Sequence, residues 1–235
     1  MLEDILISGL SELSLPCSPE ALRAFRRYYE LLEERNRQMN LTAITAEDEV
    51  ARLHFLDCAA VLPFLPEAAI TVLDIGSGAG FPGLVWKILR PELSLTLLDS
   101  QQKRVHFQME VCTALGLQDV SCIAARAEEA AASPMRECFD VVTSRAVSRL
   151  NILAELALPF TAVGGCFLAM KGTAAAEELK EASSAIRLLG GAEGRLLPCP
   201  VPGLNVERSL VSVEKLRPTP AKYPRRFALI KKQPL

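Results

Sequence analysis

Seven cysteines occur, Cys17, Cys58, Cys112, Cys122, Cys138, Cys166 and Cys199, yet no two form a C-x-x-C pair. An odd, scattered set excludes a disulfide framework and the usual zinc spacings, and fits buried thiols in a reducing compartment. No apolar run is long enough to span a bilayer. The first ten residues, MLEDILISGL, carry two acids and no basic segment, so they do not form a secretory leader. The chain is therefore expected to be soluble and cytoplasmic. Positive charge is not in excess: 26 Lys and Arg against 28 Asp and Glu leave a net charge of −2 over 235 residues. That excludes a globally basic nucleic-acid binder and leaves any such surface to a local patch. Only two histidines are present, and no activated nucleophile is evident. Internal repeats and low-complexity blocks are also missing.

Half of the residues are apolar, enough for the core of one large α/β domain. Residues 1–66 read as a helical extension. In PEALRAFRRYYELLEERNRQM, Leu22, Phe25, Tyr28, Tyr29 and Leu32 share one helical face. Arg23, Arg26, Arg27, Glu30, Glu33 and Glu34 occupy the other, which reads as a solvated, ion-paired surface. TAEDEVARLHFLDCAAVLPFL opens with Thr45 and Asp48 at capping-box spacing and closes at Pro63 and Pro66. From Ile70 onward, short apolar runs alternate with helical segments. ITVLDIG, LSLTLLD, VSCIAAR, FDVVTSRAV and GGCFLAMKG read as strands, and RLLPCPVPG with ERSLVSVEKL reads as a terminal hairpin. Residues 67–216 are thus expected to form a Rossmann-like, doubly wound, mostly parallel sheet of seven strands. Residues 217–235 form a basic, proline-rich tail without acids.

In such sheets ligands bind beyond the carboxyl ends of the strands, so the turn in TVLDIGSGAGFPG matters most. Its glycines fall at Gly76, Gly78 and Gly80, and the third position of a dinucleotide fingerprint is taken by Phe81. With Asp74 ahead of it, this pattern resembles motif I of the class I S-adenosylmethionine-dependent methyltransferases. That cofactor lacks a pyrophosphate and instead carries a cationic sulfonium and an amino-acid tail. Asp74 suits the ammonium of the tail, while Gly76 and Gly78 let the backbone approach the ligand. Asp99, roughly 20 residues on at the end of the second strand, suits the ribose hydroxyls. Arg126-Ala127-Glu128 follows the third strand, where methyltransferases of this class contact adenine.

Two acceptor chemistries lack their residues. After the fourth strand stands Ser144-Arg145-Ala146-Val147 rather than the D/N-P-P-Y/F loop of amino methylation. The Pro-Cys pairs, Pro16-Cys17 and Pro198-Cys199, lie away from where a cytosine-C5 nucleophile belongs. The ordered run NLTAIT, RLHFLDC, LDIGSGAGFPG, LLDSQQKRVHF, RAEE, FDVVTSRAV, MKG and KYPRRFALIKKQPL resembles the RsmG family, also called GidB. The resemblance extends from about residue 20 to the end. Arg226 and Ala228 depart from it, standing where that tail usually has Lys and Gly.

The resemblance implies a methyltransferase acting on guanine N7 in the 530 loop of 16S ribosomal RNA, with that RNA or the small ribosomal subunit as partner. By match, Gly76, Phe81, Ala127, Glu128 and Arg145 would contact S-adenosylmethionine, and Arg145 would also serve catalysis. No metal is implied, and a monomer is expected. Guanine N7 carries a lone pair and no proton, so direct attack needs no general base. Two other functions stay open: a small-molecule methyltransferase, and a catalytically silent ribosomal RNA-binding assembly factor. His54 reads as a structural histidine and His106 as a surface one. The run Lys215, Arg217, Lys222, Arg225, Arg226, Lys231 and Lys232 reads equally as an RNA contact or as a solvated tail. Tyr223 reads either as a base-stacking ring or as packing.

Overall fold

The computed structural model describes residues 1–68, 70–132 and 134–235. Helices α1 (Leu2–Glu12) and α2 (Pro19–Met39) lead the chain. Helix α2 starts cleanly because the Ser18 hydroxyl accepts from Ala21 N–H and Pro19 occupies the first turn. It ends at Asn40 in the left-handed conformation, φ 49°. A continuous helical stretch follows: α3 (Glu47–Val50), a wider π-helical turn (Ala51–Leu56) and α4 (Asp57–Ala59). The capping box expected at Thr45 and Asp48 does not form. Ala46 stands at the N-cap without a side-chain bond, and Glu47 instead accepts from Leu2 N–H at 2.7 Å.

The remaining elements alternate. They are β1 (Thr71–Ile75), α5 (Gly83–Leu89), β2 (Ser94–Asp99), α6 (Gln102–Leu115), β3 (Val120–Ala124), α7 (Ala127–Ala130) and β4 (Phe139–Arg145). After them come α8 (Leu150–Ala157), β5 (Thr161–Lys171), α9 (Ala175–Leu188), β6 (Arg195–Pro198), β7 (Ser209–Glu214) and α10 (Phe227–Lys232). The seven strands form one sheet in the order β3-β2-β1-β4-β5-β7-β6. The first five are parallel, and β7 runs antiparallel between β5 and β6. The order reverses between β1 and β4, which opens a crevice at their carboxyl ends.

Two apolar layers cover the sheet. One contains Leu2, Leu6, Phe25, Tyr28 and Phe55 of the N-terminal helices together with Leu84, Trp86 and Phe107. The other packs α8 and α9 against the opposite face through Leu153, Ala182 and Ile186. The basic face of α2 is not simply solvated. Arg23 and Arg27 pair locally with Glu20 and Glu30, whereas Arg26 forks onto Glu3 at 2.6 Å and reaches Glu47 at 3.0 Å, joining three helices. The tail is likewise built in. Lys215 is fully buried among Leu158 O, Thr161 O and the Thr219 hydroxyl. Arg225 forks onto the buried Glu155, and Tyr223 packs in the second layer. Lys222, Arg226, Lys231 and Lys232 remain exposed.

Candidate functional site

The glycine turn after β1 is held from three sides. The sheet holds it through Gly76 N–H to Leu98 O at 2.7 Å. Helix α6 holds it through the Gln108 amide, which donates to the Ser77 hydroxyl and to Gly78 O. Helix α2 holds it through the Tyr28 hydroxyl, which donates to Ala79 O at 2.6 Å. Gly76, Gly78 and Gly80 have φ of +67°, +59° and +102°, values a side chain resists. A Cβ on Gly78 would meet nothing nearer than Gly76 O at 3.9 Å, so the turn presents an open cradle there. On Gly76 it would lie 2.5 Å from Val147 Cγ2, which shows that the loop after β4 closes over the first glycine.

The acids expected to bind ligand are also at work within the protein. Asp99 accepts Gly78 N–H at 3.0 Å and Gln101 N–H at 2.8 Å, fastening the end of β2 to the cradle. Asp74 has no exposed surface. Its Oδ2 accepts Gly83 N–H at 2.9 Å, and Oδ1 has no partner among the described residues. Burial pushes its carboxyl up to about 8. A direct contact with a ligand ammonium needs an exposed carboxylate oxygen, which Asp74 does not offer. Phe81 is also buried. It stacks on Tyr28 and on His54, with centroids at 5.3 and 4.7 Å. Ala127 and Glu128 open α7, half-buried, next to the end of β2 through Ala125 N–H to Asp99 O.

Arg145, the last residue of β4, is the hub. Its Nη1 donates to Asp57 Oδ2 at 2.8 Å and to Leu53 O at 3.0 Å. Its Nη2 lies 2.8 Å from His54 Nδ1, and its guanidinium lies 5.3 Å from the Phe81 centroid. Because arginine only donates, His54 Nδ1 must be the acceptor, and Nε2–H then donates to the Thr42 hydroxyl at 2.9 Å. Burial, reinforced by the adjacent arginine charge, lowers His54 to about 4 and keeps it neutral. Among the described residues, one Nη2–H and the Nε–H of Arg145 have no partner.

Beside this hub opens a cavity of about 660 Å³ at the carboxyl ends of β4 and β5. His54, Asp57, Arg145, Lys171, Glu178 and Arg208 supply its ionisable lining. Asp57 bridges two arginines, since its Oδ1 accepts Arg208 Nε–H at 2.8 Å. The site thus brings Arg145 to the glycine turn and adds Asp57, Lys171, Glu178 and Arg208, which sequence reasoning did not single out. The signals available for them were the RLHFLDC segment, where Asp57 follows His54 by three residues, and the MKG segment.

The open cradle at Gly78, with the buried Asp99 carboxylate fastened at its edge, leaves room for a ligand against the backbone. Solved structures share the fold. A SAM dependent methyltransferase from Aquifex aeolicus aligns at TM-score 0.52 and 18% identity over 68% of this chain and 91% of that one. TrmN from Thermus thermophilus aligns at 0.53 and 22% over 68% of this chain and 48% of that one. Relatives named ribosomal RNA small subunit methyltransferase G are much nearer in sequence. The protein of Limosilactobacillus reuteri is 44% identical over 97% of this chain and 96% of its own, and that of Acetivibrio thermocellus 40% identical over 100% and 97%. The GidB family model, rRNA small subunit methyltransferase G, matches residues 21–201, which span both the N-terminal helices that hold Arg145 and the glycine turn beneath it. With the crevice, the hub and these near relatives in agreement, the chain belongs to the GidB family of small-subunit ribosomal RNA methyltransferases.

Proposed function

We propose that this protein transfers a methyl group from S-adenosylmethionine to guanine N7 in the 530 loop of 16S ribosomal RNA. The relatives' name supports ribosomal RNA of the small subunit as the substrate. The observation that carries the chemistry is the Arg145 hub, a guanidinium fixed between the glycine turn and a cavity with ample room for a base. When bound, S-adenosylmethionine supplies an electrophilic methyl on a cationic sulfur. Gly76 and Gly78 would present backbone to it, Asp99, whose oxygens also hold Gly78 N–H and Gln101 N–H, would lie at the ribose, and Ala127 with Glu128 would flank the adenine. Arg145 orients the base from the cavity side with its remaining N–H groups.

The acceptor atom needs no deprotonation, and the surroundings agree with that. His54 is neutral, yet both its nitrogens are engaged, by Arg145 and by Thr42. His54 is thus not available to take a proton, and the rate advantage is assigned to alignment.

The test is methyl transfer from labelled S-adenosylmethionine to small subunits from a strain lacking this protein. Borohydride reduction and aniline cleavage then cut the RNA at N7-methylguanine. One cut in the 530 loop is the expected result. Unlabelled RNA with cofactor binding intact would point to a small-molecule acceptor, and absent cofactor binding would refute the cradle. Arg145→Ala should keep the fold and lose at least about a hundredfold in transfer, the scale of a lost orienting donor. Full activity in that variant would refute the role of Arg145.

A further inference from the structure

The cavity has a second polar wall that methyl transfer does not use. Lys171, the last residue of β5, donates from Nζ to Ser148 O and, at 2.8 Å, to Glu178 Oε2. Glu178 lies in the first turn of α9, and its Oε2 also accepts Leu150 N–H at 2.8 Å. Among the described residues nothing donates to Glu178 Oε1. Both side chains are mostly buried, 11% and 16% exposed, and both line the cavity. Strand β4 lies between β1 and β5 in the sheet, so this pair faces the cavity from the side away from the glycine turn.

Guanine carries complementary groups on its Watson–Crick edge. O6 accepts, while N1–H and the N2 amine donate. Adenine reverses the pattern, with a donating N6 amine and an accepting N1. N7 lies on the other edge of the ring. A base gripped by its Watson–Crick edge against Lys171 and Glu178 leaves N7, on the adjoining Hoogsteen edge, free to face Arg145 and the glycine turn. That edge is available only when the base is unpaired.

We infer that Lys171 and Glu178 form the guanine-reading wall of the cavity, Glu178 accepting from N1–H and N2–H and Lys171 donating to O6. This rests on the guanine-N7 reading above and adds how the base is chosen. Arg145 orients the reacting edge, and the Lys171–Glu178 pair selects the base. A site built to bond such groups strongly rejects an analogue that lacks one, because its own polar atoms are then left unpaired.

Inosine tests this directly, because it keeps N7, O6 and N1–H and lacks only the N2 amine. Small subunits reconstituted with guanine or inosine at the target position are methylated under single-turnover conditions by the wild-type protein and by Glu178→Ala. Calorimetric binding of S-adenosylhomocysteine checks that each protein is folded. The wild type should prefer guanine by about tenfold or more, and Glu178→Ala should reduce the preference to within about threefold. If the variant is too slow to follow, the affinity ratio of the two RNAs, measured by competition, decides by the same criterion. An undiminished preference in Glu178→Ala, or no preference in the wild type, overturns the inference. Wild-type protein that methylates neither RNA overturns the guanine reading itself, and this inference with it.

Discussion

At the residue scale, burial moves two groups near the glycine turn in opposite directions. His54 falls from 6.5 to about 4, so its contribution to stability is complete above 6.5 and is lost as pH falls through 4. Asp74 rises from 3.8 to about 8, so its contribution is complete at low pH and is lost as pH rises toward 8. Between about pH 5 and 6.5 the two slopes oppose and stability should change little. Asp74→Asn should uncover the histidine, and its urea midpoint should fall as pH drops from 6.5. His54→Gln should show the reverse trend. A flat Asp74→Asn profile would mean that His54 is not held neutral. The glycines offer a second contrast. Gly80→Ala forces a Cβ at φ +102° into Leu84 and the Tyr28 hydroxyl, and should cost about 2–4 kcal/mol in chemical denaturation. Gly78→Ala meets open space and should cost only about 1–2 kcal/mol. It should nonetheless weaken cofactor binding, because the new methyl group enters the proposed cradle.

At the scale of elements, α2 shows what periodicity does and does not reveal. Its apolar face was legible, and Phe25, Tyr28 and Leu32 are all buried on it. The role of its charged face was not, because the partners of Arg26 belong to α1 and α3. The tail teaches the same lesson. Its composition suggested either an RNA contact or a solvated segment, yet Lys215, Tyr223 and Arg225 fasten it to α8 and to the starts of β4 and β5. Those starts are the amino ends of the strands, opposite the cavity. Arg225→Ala leaves Glu155 charged and fully buried without its partner, and should cost about 3–5 kcal/mol. Pairing Arg225→Met with Glu155→Leu should restore most of that loss, because neither charge then remains in the interior. Denaturant midpoints of the two variants decide, and equal losses would mean that packing rather than charge holds the tail.

For the whole molecule, the decisive feature is a core that crosses residue 66. Leu2, Leu6, Phe25, Tyr28 and Phe55 lie in one cluster with Leu84, Trp86 and Phe107. The Trp86 indole donates to Cys58 O at 2.8 Å across the same boundary. The full chain should therefore unfold in one cooperative transition. A fragment of residues 67–235 should be insoluble or molten, since its sheet face would be bare and Arg145 would lose Asp57, His54 and Leu53 O together. A soluble fragment with native near-ultraviolet dichroism would refute this. The N-terminal helices thus both complete the core and orient the arginine of the site.

The sequence by itself determined the parallel sheet, the glycine turn, Asp99 at the end of β2 and Arg145 at the end of β4. Those features depend on local periodicity, on backbone that only glycine adopts readily, and on position along a strand. The tertiary structure decided what these residues touch. Asp74 looked available to a ligand until Gly83 N–H lay against it in the interior. His54 looked merely structural until Arg145, 91 residues away, donated to its ring. Asp57 gained a role when Arg208, 151 residues distant, closed on its second oxygen. Periodicity specifies which face of an element is buried. It does not specify which distant side chain will meet that face, and the chemistry of this cavity consists of such meetings.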